Sequence, residues 1–274
     1  MNPLAPRPTI GVFDSGFGGL TVLKELVALI PAADYLYFGD TARLPYGSKS
    51  VETVARYAVE ATHFLERQGA NLLVIACNTA TALALDQITD AVYVPVIGVV
   101  EPGAEQASAA SKNRRVVVIG TEATVSSHAY LKALQRRAIE AREKACPLLV
   151  PLVEEGWVEH AVTEQVARIY LQDAFGDGFQ GADVLVLGCT HYPLIKPLLR
   201  RVAPPHVSIV DSAHSTAYAV SGKIAEICVS SAQGPAGQPT LRFFATDSAE
   251  KFRRMGPNFL GHPVDSVEHV DLKE

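Results

Sequence analysis

Two cysteines each close an apolar run and are followed by polar residues. Cys77 ends the segment GANLLVIAC, which begins at Gly69, and Cys189 ends the segment GADVLVLGC, which begins at Gly181. The two segments lie 112 residues apart along the chain. Short, nearly unbroken apolar runs predict buried strands, and ligands collect at the carboxyl ends of the strands of a parallel sheet. The spacing therefore predicts two thiols at equivalent strand ends in two similar units.

Each of these thiols is also expected to lie where a helix begins. The N-terminus of a helix lowers the pKa of a thiol from about 8.5 and attracts carboxylates and phosphates. Asn78 and Thr79 follow the first cysteine, and Thr190 and His191 follow the second, which places hydrogen-bond donors beside both sulfur atoms. A single cysteine of this kind is commonly a plain core residue, but the matched pair favours two reactive thiols.

The other two cysteines, Cys146 and Cys228, lack this setting and are expected to be core residues. Metal-binding and redox-active dithiol sites usually place cysteines as CxxC, and the sequence contains no CxxC. The one cysteine that lies close to a histidine in the sequence is in the CTH of residues 189–191. A metal site there would need a second cysteine from the other unit. We therefore expect neither a metal ion nor a redox-active dithiol.

Three further loops carry polar residues directly after predicted strands. The segment FDSGFGGL places Asp14 at a strand end, where a carboxylate can hold a proton or an ammonium group. This segment lacks the GxGxxG pattern and the distant acidic residue of a dinucleotide site. The loop GDTARLPYGSKS contains Tyr46 and Gly47, and Glu154 and Glu155 follow the apolar run PLLVPLV. Structural turns and charges at a helix start remain the alternative for each loop.

The elements that must position these residues alternate along the chain. The runs that predict buried strands are TIGVFD, YLYFG, NLLVIAC, RVVVIG, PLLVPLV, DVLVLGC, VSIVD and LRFFATD. The segments that predict helices are GLTVLKELVAL, SVETVARYAVEATHFLERQ, AEQASAASK, VSSHAYLKALQRRAIEAR, VEHAVTEQVARIYLQDAF, HSTAYAVSGKIAEICV and SAEKFRRM. Strands that alternate with helices predict an α/β fold with largely parallel sheets flanked by helices.

The 112-residue repeat predicts two similar α/β lobes with the active site in the cleft between them. The second lobe, which carries Cys189, is expected to span residues 99–207. The first lobe, which carries Asp14 and Cys77, is expected to combine residues 1–98 with residues 208–274. The stretch AQGPAGQP at 232–239 is a loop by composition.

Composition excludes several classes of protein. A net charge of −5 and a pI near 5.9 give no basic excess for binding nucleic acid. The longest apolar runs, of about eight residues, are too short to span a membrane. The start MNPLAPRPTIGVF has no apolar signal-peptide core. We therefore expect a cytoplasmic protein with reduced cysteines and with neither nucleic acid nor membrane as a partner.

Two opposed thiols suit the transfer of a proton from one face of a carbon atom to the other. One thiolate removes a proton and the thiol on the opposite face returns another, so each group ends in the state from which the other began. An amino-acid α-proton is weakly acidic, and the site must also stabilise carbanion charge with fixed donors and exclude water. The alternative from another class is a binding protein for small carboxylates, which needs the strand-end donors but no thiols.

Eight segments of the chain resemble the glutamate racemases of the cofactor-independent aspartate/glutamate racemase family. In chain order they are FDSGFGGLTVL, GDTARLPYG, ACNTATA, GVVEPG, VIGTEATVSSHAYLKAL, CPLLVPLVEEGW, VLGCTHYPLI and VDSA. They cover nearly the whole chain with similar spacing. The resemblance implies two α/β lobes and interconversion of L- and D-glutamate without pyridoxal phosphate or another cofactor. It also implies that the D-glutamate feeds bacterial peptidoglycan synthesis.

The resemblance further implies roles for individual residues. Cys77 acts on the α-proton of D-glutamate and Cys189 on that of L-glutamate, while Asp14 and His191 assist the two thiols. Glu154 fits the family's acidic residue near the second thiol better than the adjacent glutamate does. The residues implied to hold the substrate are Asp14, Ser15, Tyr46, Gly47, Asn78, Thr79, Thr121, Thr190 and His191. A racemase for another amino acid such as aspartate stays open, and so does a homodimer, because pocket shape and oligomeric state leave no signal in the sequence.

Overall fold

The structure is a computed structural model that describes residues 7–227 and 238–272 of the 274-residue chain. Cys228 and residues 232–237 of the predicted loop lie outside the described residues, so what the sequence predicts for them stays a prediction. The described chain folds into two parallel β-sheets with helices packed against them.

Within the described residues, ten strands form the two sheets. They are β1 (Thr9–Asp14), β2 (Asp34–Gly39), β3 (Leu72–Ile75), β4 (Val96–Gly98), β5 (Arg115–Gly120), β6 (Glu140–Ala145), β7 (Val184–Gly188), β8 (Ser208–Asp211), β9 (Leu241–Ala245) and β10 (Glu268–His269). Each pair of neighbouring strands is parallel. This confirms the predicted α/β fold with parallel sheets flanked by helices.

Helices connect most of the strands. Those of the described part are α1 (Leu20–Leu29), α2 (Val51–Arg67), α3 (Asn78–Ala91), α4 (Val100–Ala110), α5 (Glu122–Ser126), α6 (Ala129–Gln135), α7 (Leu149–Glu154), α8 (Ala161–Ala174), α9 (Lys196–Val202), α10 (Ser212–Ile227) and α11 (Ala249–Leu260). At the start of α2, Ser50 accepts a hydrogen bond from the backbone N–H of Thr53, as is typical of an N-cap serine. No helix in this part of the chain is long and apolar enough to cross a membrane.

The two sheets share one strand order. The first runs β10-β9-β2-β1-β3-β4 and the second runs β6-β5-β7-β8. The order β2-β1-β3-β4 therefore corresponds to β6-β5-β7-β8. The register matches as well, because Thr9 lies opposite Asp34 and Arg115 lies opposite Glu140. The shared order gives the structural basis of the sequence repeat.

Each sheet has a point where its strand order reverses. After β1 the chain adds β2 on one side and then crosses to β3 on the other side, and β5, β6 and β7 follow the same path. In parallel sheets, ligands bind outside the carboxyl ends of the strands at such a reversal. The loops that follow β1, β3, β5 and β7 are therefore placed to form a site.

The second sheet extends past the predicted lobe boundary. Ser208 lies opposite Val184 and Asp211 lies opposite Leu187, so β8 belongs to the second sheet. The predicted return to the first lobe at residue 208 is wrong for this strand, because VSIVD completes the second sheet at its edge. β9 and β10 do join the first sheet, and the division into two lobes otherwise stays a prediction.

Two segments differ in secondary structure from the prediction. PLLVPLV, predicted as a strand, forms α7, and VSSHAYLKALQRRAIEAR, predicted as one helix, spans the end of α5, all of α6 and the start of β6. Periodicity cannot separate a short buried helix from a strand when every residue is apolar. Pro151 lies in the first turn of α7, where a proline costs no helical hydrogen bond. β6, with the sequence EAREKA, is an edge strand whose charges discourage pairing with another chain.

The central strands of the first sheet are buried on both faces. Val12 and Val74 pack in one apolar cluster, whereas Phe13 and Ile75 pack in a second cluster on the opposite face. Side chains alternate in direction along a strand, so helices on both faces hold β1 and β3 in place. The loops that leave these two strands therefore start from rigid positions.

Candidate active site

A cleft of about 300 Å³ lies between the carboxyl ends of the two sheets. The first sheet contributes the loops after β1, β2 and β3, and the second contributes the loops after β5, β6 and β7. Each sheet thus supplies an equivalent set of three loops, as the shared strand order requires. The volume is at the small end of the range for ligand pockets, which suits a molecule of amino-acid size.

Most of the predicted site residues line this cleft. Those that line it are Ser15, Tyr46, Gly47, Cys77, Asn78, Thr79, Thr121, Glu154, Cys189, Thr190 and His191. Asp14 does not line the cleft, and its side chain is buried with 1% exposed. Leu44, Pro45, Val150 and Pro151 add an apolar part of the wall that the sequence analysis did not identify.

Cys77 caps the N-terminus of α3, in the position that the sequence predicts. Its Sγ accepts a hydrogen bond from the backbone N–H of Ala80 at 3.4 Å, and its thiol donates to Oγ of Ser15 at 3.5 Å. Burial raises the pKa of Cys77 to about 12, and the charge of Asp14 adds to this increase. The predicted lowering of this thiol's pKa is therefore wrong, because desolvation and a nearby carboxylate outweigh the N–H groups.

Asp14 lies at the end of β1 with a buried carboxylate. Its Oδ2 accepts a hydrogen bond from the backbone N–H of Gly16 at 2.9 Å, while its Oδ1 has no partner among the described residues. Burial raises the pKa of Asp14, although the charge of His191 and nearby backbone N–H groups act against this. A carboxyl group with a raised pKa and an unpartnered oxygen is suited to exchanging a proton with a neighbouring group.

Cys189 forms a chain with a histidine and a glutamate. Its Sγ lies 3.9 Å from Nδ1 of His191, and Nε2 of His191 lies 3.1 Å from Oε1 of Glu154. Burial by itself lowers the pKa of His191, but the hydrogen bonds to Cys189 and Glu154 raise it to about 10. The imidazole is then protonated at neutral pH, so a positive charge lies beside the sulfur atom of Cys189.

Glu154 reaches His191 from the C-terminal end of α7. The sequence predicts that this glutamate follows a strand, which is wrong because PLLVPLV is helical. Burial raises the pKa of Glu154, but the hydrogen bond and the charge of His191 lower it further than burial raises it. Glu155 is exposed and does not line the cleft. The geometry therefore selects Glu154 over Glu155 as the partner of His191.

Glycines allow the loops of the two sheets to approach each other closely. A Cβ atom at Gly18 would lie 2.6 Å from Nδ1 of His191, and a Cβ atom at Gly47 would lie 2.9 Å from Cβ of Thr121. Both distances are too short for a real contact. The two glycines are therefore required by packing between the loops that surround the cleft.

Three threonine hydroxyls join the two sheets beside the cleft. Oγ1 of Thr79, on α3, lies 2.9 Å from Oγ1 of Thr121 and 3.3 Å from Oγ1 of Thr124. The two hydroxyls of Thr121 and Thr124 lie 2.9 Å apart. Thr79 and Thr121 both line the cleft, so this cluster holds polar groups from both halves of the site in a fixed arrangement.

Two buried side chains outside the cleft hold residues that line it. The hydroxyl of Tyr130 donates to Oδ1 of Asn78 at 2.7 Å, and the hydroxyl of Tyr46 donates to Oδ2 of Asp40 at 2.5 Å. The sequence predicts Asn78 and Tyr46 as site residues but predicts neither of their partners. Asp40 comes directly after β2, and this position at a strand end could have marked it as a site residue. Nothing in the helical segment around Tyr130 marks that tyrosine as a partner of a site residue.

One further cysteine and two histidines lie away from the cleft. Cys146 is fully buried and does not line the cleft, which confirms it as a core residue. His160 caps the N-terminus of α8, and Nε2 of His206 lies 3.2 Å from the backbone oxygen of Ala182, so both histidines have structural partners. Among the described residues, no three His, Cys, Asp or Glu side chains are grouped to hold a metal ion. The expected absence of a cofactor stays a prediction.

Several known proteins are similar to this chain in sequence and in fold. A family model described as Asp/Glu/Hydantoin racemase matches residues 10–220. A glutamate racemase from Koribacter versatilis is 64% identical, over 97% of this chain and 98% of its own length. A glutamate racemase structure from Bacillus anthracis matches with a TM-score of 0.90 at 36% identity, over 97% of this chain and 98% of that one. A structure of glutamate racemase from Francisella tularensis in complex with D-glutamate has a TM-score of 0.88 at 36% identity, with the same coverage.

Proposed function

Since the chain belongs to the Asp/Glu/hydantoin racemase family, we propose that its cleft interconverts L- and D-glutamate by proton transfer between Cys77 and Cys189. Glutamate racemisation is the activity of the chain, given its likeness to glutamate racemases over nearly their full length. Aspartate is the less supported substrate on the same ground. The observation that carries the two-thiol proposal is that one cysteine from each of two equivalent sheets lines the same cleft.

In the direction from L- to D-glutamate, Cys189 removes the α-proton and Cys77 returns one. The imidazolium of His191, 3.9 Å from Sγ of Cys189, places a positive charge beside the sulfur atom that accepts this proton. The thiolate of Cys189 forms an S–H bond as the α C–H bond breaks. The thiol of Cys77, whose pKa burial raises to about 12, gives its proton to the opposite face of the carbanion. The two sulfur atoms have then exchanged protonation states, and the reaction needs no oxidant or co-reactant.

In the direction from D- to L-glutamate, Cys77 must first lose its proton. The unpartnered Oδ1 of Asp14 is a suitable acceptor, because burial raises the pKa of this carboxyl group. We therefore propose that Asp14 assists proton transfer at Cys77. His191, together with Glu154, assists proton transfer at Cys189. The assignment of each cysteine to one enantiomer rests on the family resemblance.

Fixed donors around the cleft are the proposed means of stabilising the carbanion. The hydroxyls of Ser15, Thr79, Thr121 and Thr190 border the cleft, and the first N–H groups of α3 lie beside Cys77. Donors that are already oriented toward developing negative charge are each worth about 10²–10³-fold in rate. These groups, together with Tyr46, Gly47 and the amide of Asn78, are proposed to hold the two carboxylates of glutamate.

We further propose that the D-glutamate supplies peptidoglycan synthesis in a bacterial cytoplasm, and so supports the cell wall and cell shape. This proposal is supported by the family resemblance and by relatives from Koribacter and Geobacter. A homodimer is not required by the mechanism, because both thiols come from one chain. The net charge of −5 gives no reason to add a nucleic-acid partner.

Circular dichroism of pure D-glutamate tests this function directly. The enzyme is dialysed against a chelator and assayed with no added cofactor. The signal is expected to decay to zero, because the two enantiomers have equal free energy in water. The same assay with D-aspartate is expected to be about 10- to 200-fold slower, as is typical for a substrate one methylene shorter.

Three other outcomes would contradict parts of this proposal. A protein that binds glutamate and leaves the signal unchanged would be the small-carboxylate binding protein. Activity that disappears on dialysis and returns with pyridoxal phosphate or a metal ion would refute the cofactor-free mechanism. Faster racemisation of aspartate than of glutamate would assign the other substrate.

A further inference from the structure

Asn78 borders the cleft with one end of its amide group held and the other end unpartnered. Its side chain is 2% exposed, and its Oδ1 accepts a hydrogen bond of 2.7 Å from the hydroxyl of Tyr130. Its Nδ2 has no partner among the described residues. A buried polar group left without a hydrogen bond costs about 1–3 kcal/mol. In a ligand cleft, such an N–H group is therefore expected to find its partner on the ligand.

Tyr130 acts on this amide from outside the cleft. It lies on α6, is fully buried and is not part of the cleft wall. Burial raises the pKa of Tyr130, so the phenol keeps its proton and acts as a donor. An amide offers an acceptor at one end and donors at the other. A fixed donor at the oxygen end therefore leaves the NH₂ end for the cleft.

The ring of Tyr130 has little freedom to move. A Cβ atom at Gly103 would lie 3.2 Å from the phenol oxygen, and a Cβ atom at Gly188 would lie 3.1 Å from Cε2 of the ring. The ring thus fills the space that two glycines leave, on α4 and at the end of β7. Tyr130 lies on α6, which packs beside the second sheet, and Asn78 lies on α3, which follows a strand of the first sheet. The hydrogen bond between the two side chains therefore also links the two halves of the site.

We propose that Tyr130 is a positioning residue for racemisation, which holds Asn78 so that its Nδ2 donates to a carboxylate of the bound amino acid. A carboxylate is the matching chemistry because its oxygens only accept hydrogen bonds. The inference rests on the proposed function, since it requires glutamate in this cleft.

Tyr130→Phe tests the proposal, with Tyr35→Phe as the matched control. Both tyrosines are buried, and the hydroxyl of Tyr35 donates to the backbone oxygens of Leu26 and Ile30, away from the cleft. Loss of one orienting hydrogen bond is expected to lower kcat/KM about tenfold in both directions, mainly through a higher KM. Tyr35→Phe is expected to stay within about twofold of the wild type, even though it loses a buried hydrogen bond of similar strength.

The double variant Asn78→Ala/Tyr130→Phe separates positioning from general support of the fold. With Asn78→Ala already present there is no amide to orient, so removal of the Tyr130 hydroxyl is expected to cause no further loss of kcat/KM. An equal loss with and without Asn78 would overturn the proposal. An unimpaired Tyr130→Phe enzyme would overturn it as well.

Asn78→Asp gives a second measurement that does not depend on the folding of Tyr130→Phe. Tyr130 would hold one carboxylate oxygen and turn the other toward the substrate, where like charges repel. Asn78→Asp is therefore expected to be at least about tenfold more impaired than Asn78→Ala, and equal impairment would overturn the proposal. Wild-type activity is measured in the same assay. An inactive wild type would refute the proposed function itself, whereas an active wild type with unimpaired Tyr130→Phe would refute the role of Tyr130 alone.

Discussion

At the scale of single residues, the two thiols occupy equivalent backbone positions but have different partners. Cys77 lies near Asp14, whose charge adds to the effect of burial and helps raise the thiol pKa to about 12. Cys189 lies near His191, which Glu154 helps keep protonated. Burial and a carboxylate therefore favour the thiol form of Cys77, whereas Cys189 lies beside a cation. This difference suits a transfer from L- to D-glutamate, in which Cys77 gives up a proton and Cys189 accepts one.

The pH dependence of activity should follow the partner of His191. Glu154 helps raise the pKa of His191 to about 10, so Glu154→Gln is expected to lower that pKa. The imidazolium beside Cys189 would then lose its proton at a lower pH. The alkaline limb of kcat/KM for L-glutamate should move to lower pH in Glu154→Gln, and pH profiles of both enzymes measure this.

The adjacent glutamate supplies the control for this prediction. Glu155 is exposed and does not line the cleft, so Glu155→Gln should leave the pH profile unchanged. An alkaline limb that stays in place in Glu154→Gln would show that Glu154 does not set the protonation of His191.

At the scale of elements, the turn between β1 and α1 must pack against the loop that carries Cys189. A Cβ atom at Gly18 would come within 2.6 Å of Nδ1 of His191. Gly18→Ala is therefore expected to displace His191 and to lower kcat/KM by about 100-fold, the typical cost of a 1 Å misplacement of a catalytic group. Steady-state kinetics in both directions measure this loss.

A second glycine in a helix provides the matched control. A Cβ atom at Gly222, in α10, would meet nothing within 4 Å. Gly222→Ala should keep full activity and should stabilise the protein by about 0.5–1 kcal/mol, because alanine favours a helix interior. Activity of Gly18→Ala equal to that of Gly222→Ala would show that the turn does not position His191.

The sequence predicts the central strands of the fold well because they are apolar on both faces. β1, β3, β5 and β7 carry nearly continuous apolar runs, and the residues that follow them line the cleft. The edge strand β6 is polar, so its pattern predicts part of a helix, whereas the run PLLVPLV of α7 is apolar, so its pattern predicts a strand. Neither error concerns β3 or β7, which lead to Cys77 and Cys189, and for that reason both predicted thiols still line the cleft.

The parts of the site that the sequence did not reveal depend on contacts between distant segments. Tyr130 lies 52 positions from Asn78, and Thr246 lies 206 positions from Asp40, whose Oδ1 accepts its hydroxyl hydrogen bond at 2.7 Å. No local pattern marks such partners. The raised pKa of Cys77 was missed for a similar reason, since it depends on burial and on a carboxylate from another strand.

At the scale of the whole molecule, the buried carboxylate of Asp14 is expected to lower stability at neutral pH. Burial raises its pKa in the folded protein above the ordinary value of 3.8. The favourable contribution of this carboxyl group to the free energy of unfolding is therefore complete below about pH 3.8. It is lost as the pH rises through the folded-state pKa. Asp14→Asn should raise the free energy of unfolding at pH 8, because the neutral amide does not bury a charge.

Urea unfolding at several pH values measures this difference. The gain of Asp14→Asn over the wild type should shrink as the pH falls toward 4, and the variant should have lost its racemase activity. A variant that is less stable than the wild type at pH 8 would show that the carboxylate is held by favourable contacts that outweigh its burial.

Two equivalent sheets surround one cleft in a pseudo-symmetric arrangement. We therefore expect each thiol to serve one face of the α-carbon. Racemisation has an equilibrium constant of 1, so loss of either thiol must abolish inversion in both directions together. The remaining thiol can still remove the α-proton of one enantiomer and return a solvent proton to the same face. The two cysteine variants should therefore differ in which enantiomer exchanges its α-proton.

The most direct test is α-deuterium uptake from D₂O, followed by proton NMR together with chiral chromatography. Cys189→Ala should exchange the α-proton of D-glutamate slowly without inversion and leave L-glutamate unlabelled. Cys77→Ala should show the opposite preference. Equal exchange into both enantiomers by either variant would contradict a mechanism with one thiol on each face.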